Sequence, residues 1–254
     1  MKKRFSMWHR GFAFALAAPV CLTPVSPVFA QPTPVSAPEE GQQDPYMALV
    51  DLFHTLDAGN LVFERQMAQL RDVWLGTPEF AQVEVACPGM VDAVLFAVKP
   101  VFREMDERSN RQLRNALRGI FAANITPQEA QEATAFFQSP DGQVLIGAVL
   151  NNVTMETALT EAMTTGDGAF SRESMARDKH RTSAAAVRSI DPETQDRIAA
   201  TLTAAPWFPK LMALRPQMDN ARYTIFNAPL TSREQAQIDA VIGPAMDAHL
   251  ETCI

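Results

Sequence analysis

Strand signals are nearly missing from this chain. After Tyr46 no extended run alternates apolar and polar residues between Asn-Gly or Asp-Gly turns, which argues against a sandwich or barrel. Local catalytic signatures are missing too. The sequence has no H-E-x-x-H and no paired C-x-x-C, the spacings that set zinc ligands on one helical face or in a knuckle. It has no G-x-S-x-G elbow and no Ser-x-x-Lys; beyond residue 30 the only lysines are Lys99, Lys179 and Lys210. No glycine-rich phosphate loop follows a strand, because there is no strand for it to follow. These absences disfavour an enzyme and supply no catalytic, cofactor-binding or metal-ligating set. A dispersed hydrolase triad stays open, since such groups meet only in three dimensions. Its histidine would be His54, His180 or His249.

Positive charge is scarce where it would matter. Lys2, Lys3, Arg4 and Arg10 open the chain, an apolar run from Gly11 to Leu22 follows, and a Pro-rich stretch ends in Val28-Phe29-Ala30. This is the three-part pattern of a secretory signal, with cleavage expected after Ala30 and the periplasm as destination. The apolar run is too short for a membrane span, which takes about 20 residues. Pro19 and Val20 are poor neighbours for a lipid-modified Cys21. The signal holds four of the 22 basic residues and none of the 29 acidic ones, leaving a mature balance of −11. So acidic a chain repels phosphate backbones, which excludes nucleic acid as the main partner and disfavours anionic membrane surfaces.

Cysteine is also sparse. Cys21 leaves with the signal, so Cys87 in "VACPGM" and Cys253 in "ETCI" have one intramolecular pairing open to them, and export favours a disulfide.

What is present is helical spacing. Residues 31–45 carry four prolines and little to bury, and read as a disordered linker. Tyr46, Leu49, Val50, Phe53 and Leu56 then recur at three- and four-residue steps, and Phe63, Met67, Leu70 and Trp74 repeat the pattern after a break at "DAGN". Val91, Val94, Leu95, Val98, Val101, Phe102 and Met105 form a longer stripe, in which Pro100 should kink or split the helix. Ser109 is placed to cap the next helix, which carries Leu113, Leu117, Ile120 and Phe121. Thr126, Pro127 and Glu129 spell a capping box with proline at the first helical position. Phe136 and Phe137 close that helix on its buried side; Ser139-Pro140-Asp141-Gly142 turns the chain, with Ser139 placed to cap again. Thr231 and Glu234 spell a second box, and "IDPETQDRIAATLTAAP" repeats the theme loosely. The expectation is an all-α fold of antiparallel hairpins, in one bundle-like core or two closely packed subdomains. Residues 46–165 form the helical domain and 166–254 a C-terminal helical segment.

At "AFFQSPDGQVL" the chain resembles the bacterial family catalogued as domain of unknown function 2059, through Phe136, Phe137, Ser139, Pro140 and Gly142, over roughly residues 95–155. The resemblance implies an exported helical protein. It carries over no activity and no catalytic residue.

Three surface features remain. Arg111, Arg114 and Arg118 lie on one helix face, and Arg172, Arg177, Lys179, His180 and Arg181 cluster; both read as solvated faces paired with Asp106, Glu107, Glu173 and Asp178. "DAHLETC" sets His249 and Cys253 one turn apart, but a disulfide would consume the thiol. "APWFPKLMALRPQM" places Trp207, Phe208, Leu211 and Met212 as a candidate apolar groove. The leading expectation is a non-enzymatic scaffold or interaction module with a protein partner. The alternatives are a carrier of a small apolar ligand between helices, then a hydrolase with dispersed residues. The sequence leaves oligomeric state open; it contains no long heptad seam.

Overall fold

The apolar spacing folds as helix throughout. A computed structural model describes residues 44–52, 56–165 and 168–253, and among them there are twelve α-helices and no strand. The expected signal, most of the expected linker, and Phe53 and His54 lie outside the described residues. The linker's last two residues already belong to structure. Asp44 caps α1 (Pro45–Asp51) by accepting from the Tyr46 and Met47 amides at 2.9 and 3.2 Å, and Arg118 holds its other oxygen at 2.6 Å.

Two cores share one long helix, α4 (Met90–Asn124). Its N-terminal half buries Met90, Val91, Val94, Leu95, Val98 and Val101 against α2 (Leu56–Gly76), α3 (Pro78–Ala86) and α12 (Ser232–Leu250). Its C-terminal half buries Leu113, Leu117 and Phe121 against α1 and α5 (Pro127–Gln138). The same core takes Ile190, Ile198 of α9 (Pro192–Ala204), Trp207 of α10 (Trp207–Ala213) and Leu214. The stretch expected as a C-terminal segment thus contributes to both cores.

Two expected breaks do not occur, and Pro100 does not split its helix. Pro100 neither splits α4 nor ends it: Pro100 and Phe96 both face water, and there the carbonyl that loses its amide partner can bond to solvent. Ser109 starts no helix and sits inside α4. "DAGN" is not a break either, since α2 runs through it from Leu56. For Pro100 and Ser109, buried residues on either side of them in the same helix override a local preference that alone is weak.

Ser109 apart, the expected caps are used. Thr126 and Glu129 satisfy each other's amides at 3.2 and 2.9 Å, and Thr231 and Glu234 do the same at 3.2 and 2.8 Å. Ser139 alone separates α5 from α6 (Pro140–Asn152). Its hydroxyl donates to the Phe136 carbonyl at 2.6 Å and accepts from the Gly142 amide at 3.2 Å, so one side chain ends one helix and starts the next. α7 (Glu156–Thr165) is capped from a neighbour: Asp178 of α8 (Arg172–Ser189), 3% exposed, accepts from the Thr157 and Ala158 amides at 3.1 and 2.8 Å. Asp178 is therefore a buried cap and not a surface partner for the basic cluster.

Cys87 and Cys253 are disulfide-bonded, with Cα atoms 5.4 Å apart, joining the α3–α4 corner to the end of α12. At that corner Glu84 takes the Gly89 and Val91 amides at 2.6 and 3.1 Å, and Gly89 adopts φ +88, a conformation that costs other residues. No single helix among the described residues is long and apolar enough to cross a membrane.

Candidate ligand cavity

Between its two buried stripes α4 reads "FREMDERSNRQ" from Phe102 to Gln112, and none of these residues is fully buried. Of this length only Phe102 and Met105 pack against a core, and a cavity of about 340 Å³ lies against it. Its walls are α2, α3, α4, α7, α12 and α11 (Arg215–Phe226), with the segments 168–170 and 227–230. That volume is at the small end of the range for ligand pockets, about 300–1,000 Å³.

The lining is mostly carbon and rich in rings. Phe63, Trp74, Phe102, Phe170, Tyr223 and Phe226 all face the cavity, with Met67, Met105, Leu159 and Ile242 between them. Phe80 stacks on Trp74 with centroids 5.2 Å apart. Two of the rings already hold cations: the guanidinium of Arg103 lies 3.7 Å from the Phe63 centroid and that of Arg172 lies 4.0 Å from the Tyr223 centroid.

Most polar groups in the wall are spoken for. Asn227 brackets Phe170, accepting from its amide at 2.7 Å and donating to its carbonyl at 3.1 Å, and so fixes the 168–170 wall. Gln66 donates to the Met155 sulfur at 3.0 Å, and its neighbour Gln69 accepts from the Met155 amide at 2.9 Å, tying α2 to the entry of α7. Arg108 gives one nitrogen to Glu234 at 2.7 Å, while its Nε is buried with no hydrogen-bond partner among the described residues.

Asp106 is different. Among the described residues its one hydrogen bond is from Asn110 at 3.0 Å and it makes no ion pair; burial pushes its carboxyl above its ordinary value. It is not the surface partner of the arginine stripe that its spacing suggests. Those arginines instead pair elsewhere: Arg111 with Glu107, Arg114 with Asp51, Arg118 with Asp44. In the second basic cluster Arg177 reaches Glu173 and Glu161, Lys179 pairs with Asp219, and Arg181 with Glu156. Both clusters are thus largely neutralised on the surface.

The residues expected to form an apolar groove lie elsewhere. Trp207 is 3% exposed in the second core, its ring centroid 5.9 Å from Phe136 and 6.1 Å from Phe137. Phe208 and Leu211 pack against the same core, and Met212 is on the surface. None of the four lines the cavity. Trp207 and Phe208 in that stretch serve packing, whereas the cavity draws on six helices, and the apolar spacing of α2 and α4 reads as core whether or not it meets a void. Its one legible trace is Asp106 falling at helical spacing from Phe102 within an apolar stripe.

No described histidine lines the cavity. His180 is exposed, and His249 bonds through Nε2 to the Pro88 carbonyl at 2.9 Å; among the described residues neither contacts a serine hydroxyl. Cys87, His249 and Cys253 bring three potential metal-ligating atoms within 4.8 Å of one another, but both sulfurs are committed to the disulfide, leaving one imidazole. No family model, curated protein or solved structure matches the chain, so the resemblance over residues 95–155 stands on its motif alone.

Proposed function

We propose that this protein binds a small, largely apolar molecule in the cavity beside Phe102–Ser109, as an exported carrier or sensor of that molecule. The observation that carries the reading is the cavity: 340 Å³ of mostly carbon-lined space where α4 passes between two packed cores. A scaffold needs no such pocket, because apolar surface left uncovered forgoes the stabilisation that burial would give, about 25 cal/mol per Å². Export is supported by the basic, apolar and Pro-rich opening of the chain and by a cysteine pair at disulfide distance.

Straight-chain alcohols from butanol to octanol provide the test. Each methylene taken from water into the cavity contributes about 0.8 kcal/mol, so affinity should rise roughly fourfold per carbon until the space is full. Calorimetry should also show a negative heat-capacity change. Leu159→Trp, which fills the cavity from α7, should abolish binding in a protein whose thermal unfolding stays cooperative. No binding by any alcohol, or binding that Leu159→Trp leaves intact, would refute the reading.

A further inference from the structure

We propose that the cavity's ligand is a hydrophobic ammonium ion, its charged nitrogen seated at Asp106 and against the aromatic wall. The inference rests on the cavity being a binding site and adds the chemical class of the occupant.

Charge complementarity points this way. Of the charged side chains that line the cavity, Arg108 is engaged by Glu234, whereas Asp106 has, among the described residues, no ion pair and one neutral hydrogen-bond donor, Asn110. The uncompensated charge at the wall is therefore negative. The cation that acts on it, Arg103, is held by Glu64 and Asn60 and lies over Phe63. Burial already penalises the ionised carboxyl, and a ligand cation beside it would offset that penalty. A carboxylate ligand would face repulsion from Asp106; the charge of Arg108 is already balanced by Glu234, which leaves its buried Nε one hydrogen bond to give but no net charge to offer.

The rings supply the second half. Aromatic faces attract cations through their quadrupole, best when water is excluded, and clusters of rings are how quaternary ammonium groups are recognised. Phe63 and Tyr223 each line the cavity and each carry a guanidinium, so rings in this wall already make such contacts. The apolar remainder, with Leu159, Ile238 and Ile242, suits an alkyl or aryl tail.

Octylammonium, octanol and octanoate share a tail and differ in head charge, so together they separate the two claims. On the intact protein octylammonium should bind at least tenfold more tightly than octanol, with octanoate weakest. Asp106→Asn should weaken octylammonium about tenfold to a hundredfold, the range for a hydrogen bond to a charged group, and leave octanol unchanged. A thermal melt of the variant checks folding, and its unchanged octanol affinity reports an intact cavity. Equal binding of octanol and octylammonium, or tightest binding of octanoate, overturns the ammonium assignment while the cavity reading survives. Failure of all three to bind sinks both.

Discussion

Replacing Cys253 with serine is expected to lower the unfolding free energy by about 5 kcal/mol, on the loop-entropy model for a bridge of this span. The two cysteines are 166 residues apart, so the bridge closes most of the folded chain into one loop and restricts its unfolded ensemble heavily. The substitution disturbs little packing in the folded state: Cys87, 3% exposed, keeps its place in the first core, and Cys253 is exposed at the end of α12. The effect should therefore come through the unfolded state. Urea unfolding of the oxidised protein, the reduced protein and Cys253→Ser measures it. Reduced wild type and the serine variant should coincide, both far below the oxidised form. A difference under about 1 kcal/mol would mean that the unfolded chain is already compact without the bridge.

Gly142→Ala should be nearly as damaging, against the usual trend. Within a helix, alanine is ordinarily better than glycine by about 1 kcal/mol. Here a Cβ would stand on the Phe136 carbonyl oxygen and 2.6 Å from the Phe137 Cα, both backbone atoms that cannot swing aside. α5 and α6 would have to separate, pulling Ser139 off both of its hydrogen bonds and loosening Phe136 from Trp207. A loss of about 3 kcal/mol is expected, at the upper end of overpacking costs. Gly147→Ala on the same helix, with nothing within 4 Å of its Cβ, is the control and should stabilise by up to about 1 kcal/mol. If both variants behave alike, the close approach of α5 and α6 is wrong.

Local chemistry in this chain is strongly legible where one residue type satisfies one local need. Thr126, Ser139 and Thr231 read as caps because each needs only an amide two or three residues away. The pairing of Cys87 with Cys253 is legible because few alternatives exist. Pro100, Ser109 and "DAGN" mislead because their effect depends on which side of a helix faces water and what packs on the other. The same limit hides the cavity. Phe63, Met67, Phe102 and Met105 repeat at the spacing of a buried face whether that face meets a neighbour or a void. Asp106 falls among solvated charges by composition; only its place between the two cores of α4 separates it from Glu107, which is exposed and pairs with Arg111.

The cavity itself is tested most directly by diffraction from a crystal held under xenon pressure, because xenon lodges in apolar interior space without needing a hydrogen bond. The account predicts xenon among Phe63, Phe102, Leu159 and Ile242, with the surrounding helices unmoved. Side chains closed over that position, with no xenon between them, would contradict it.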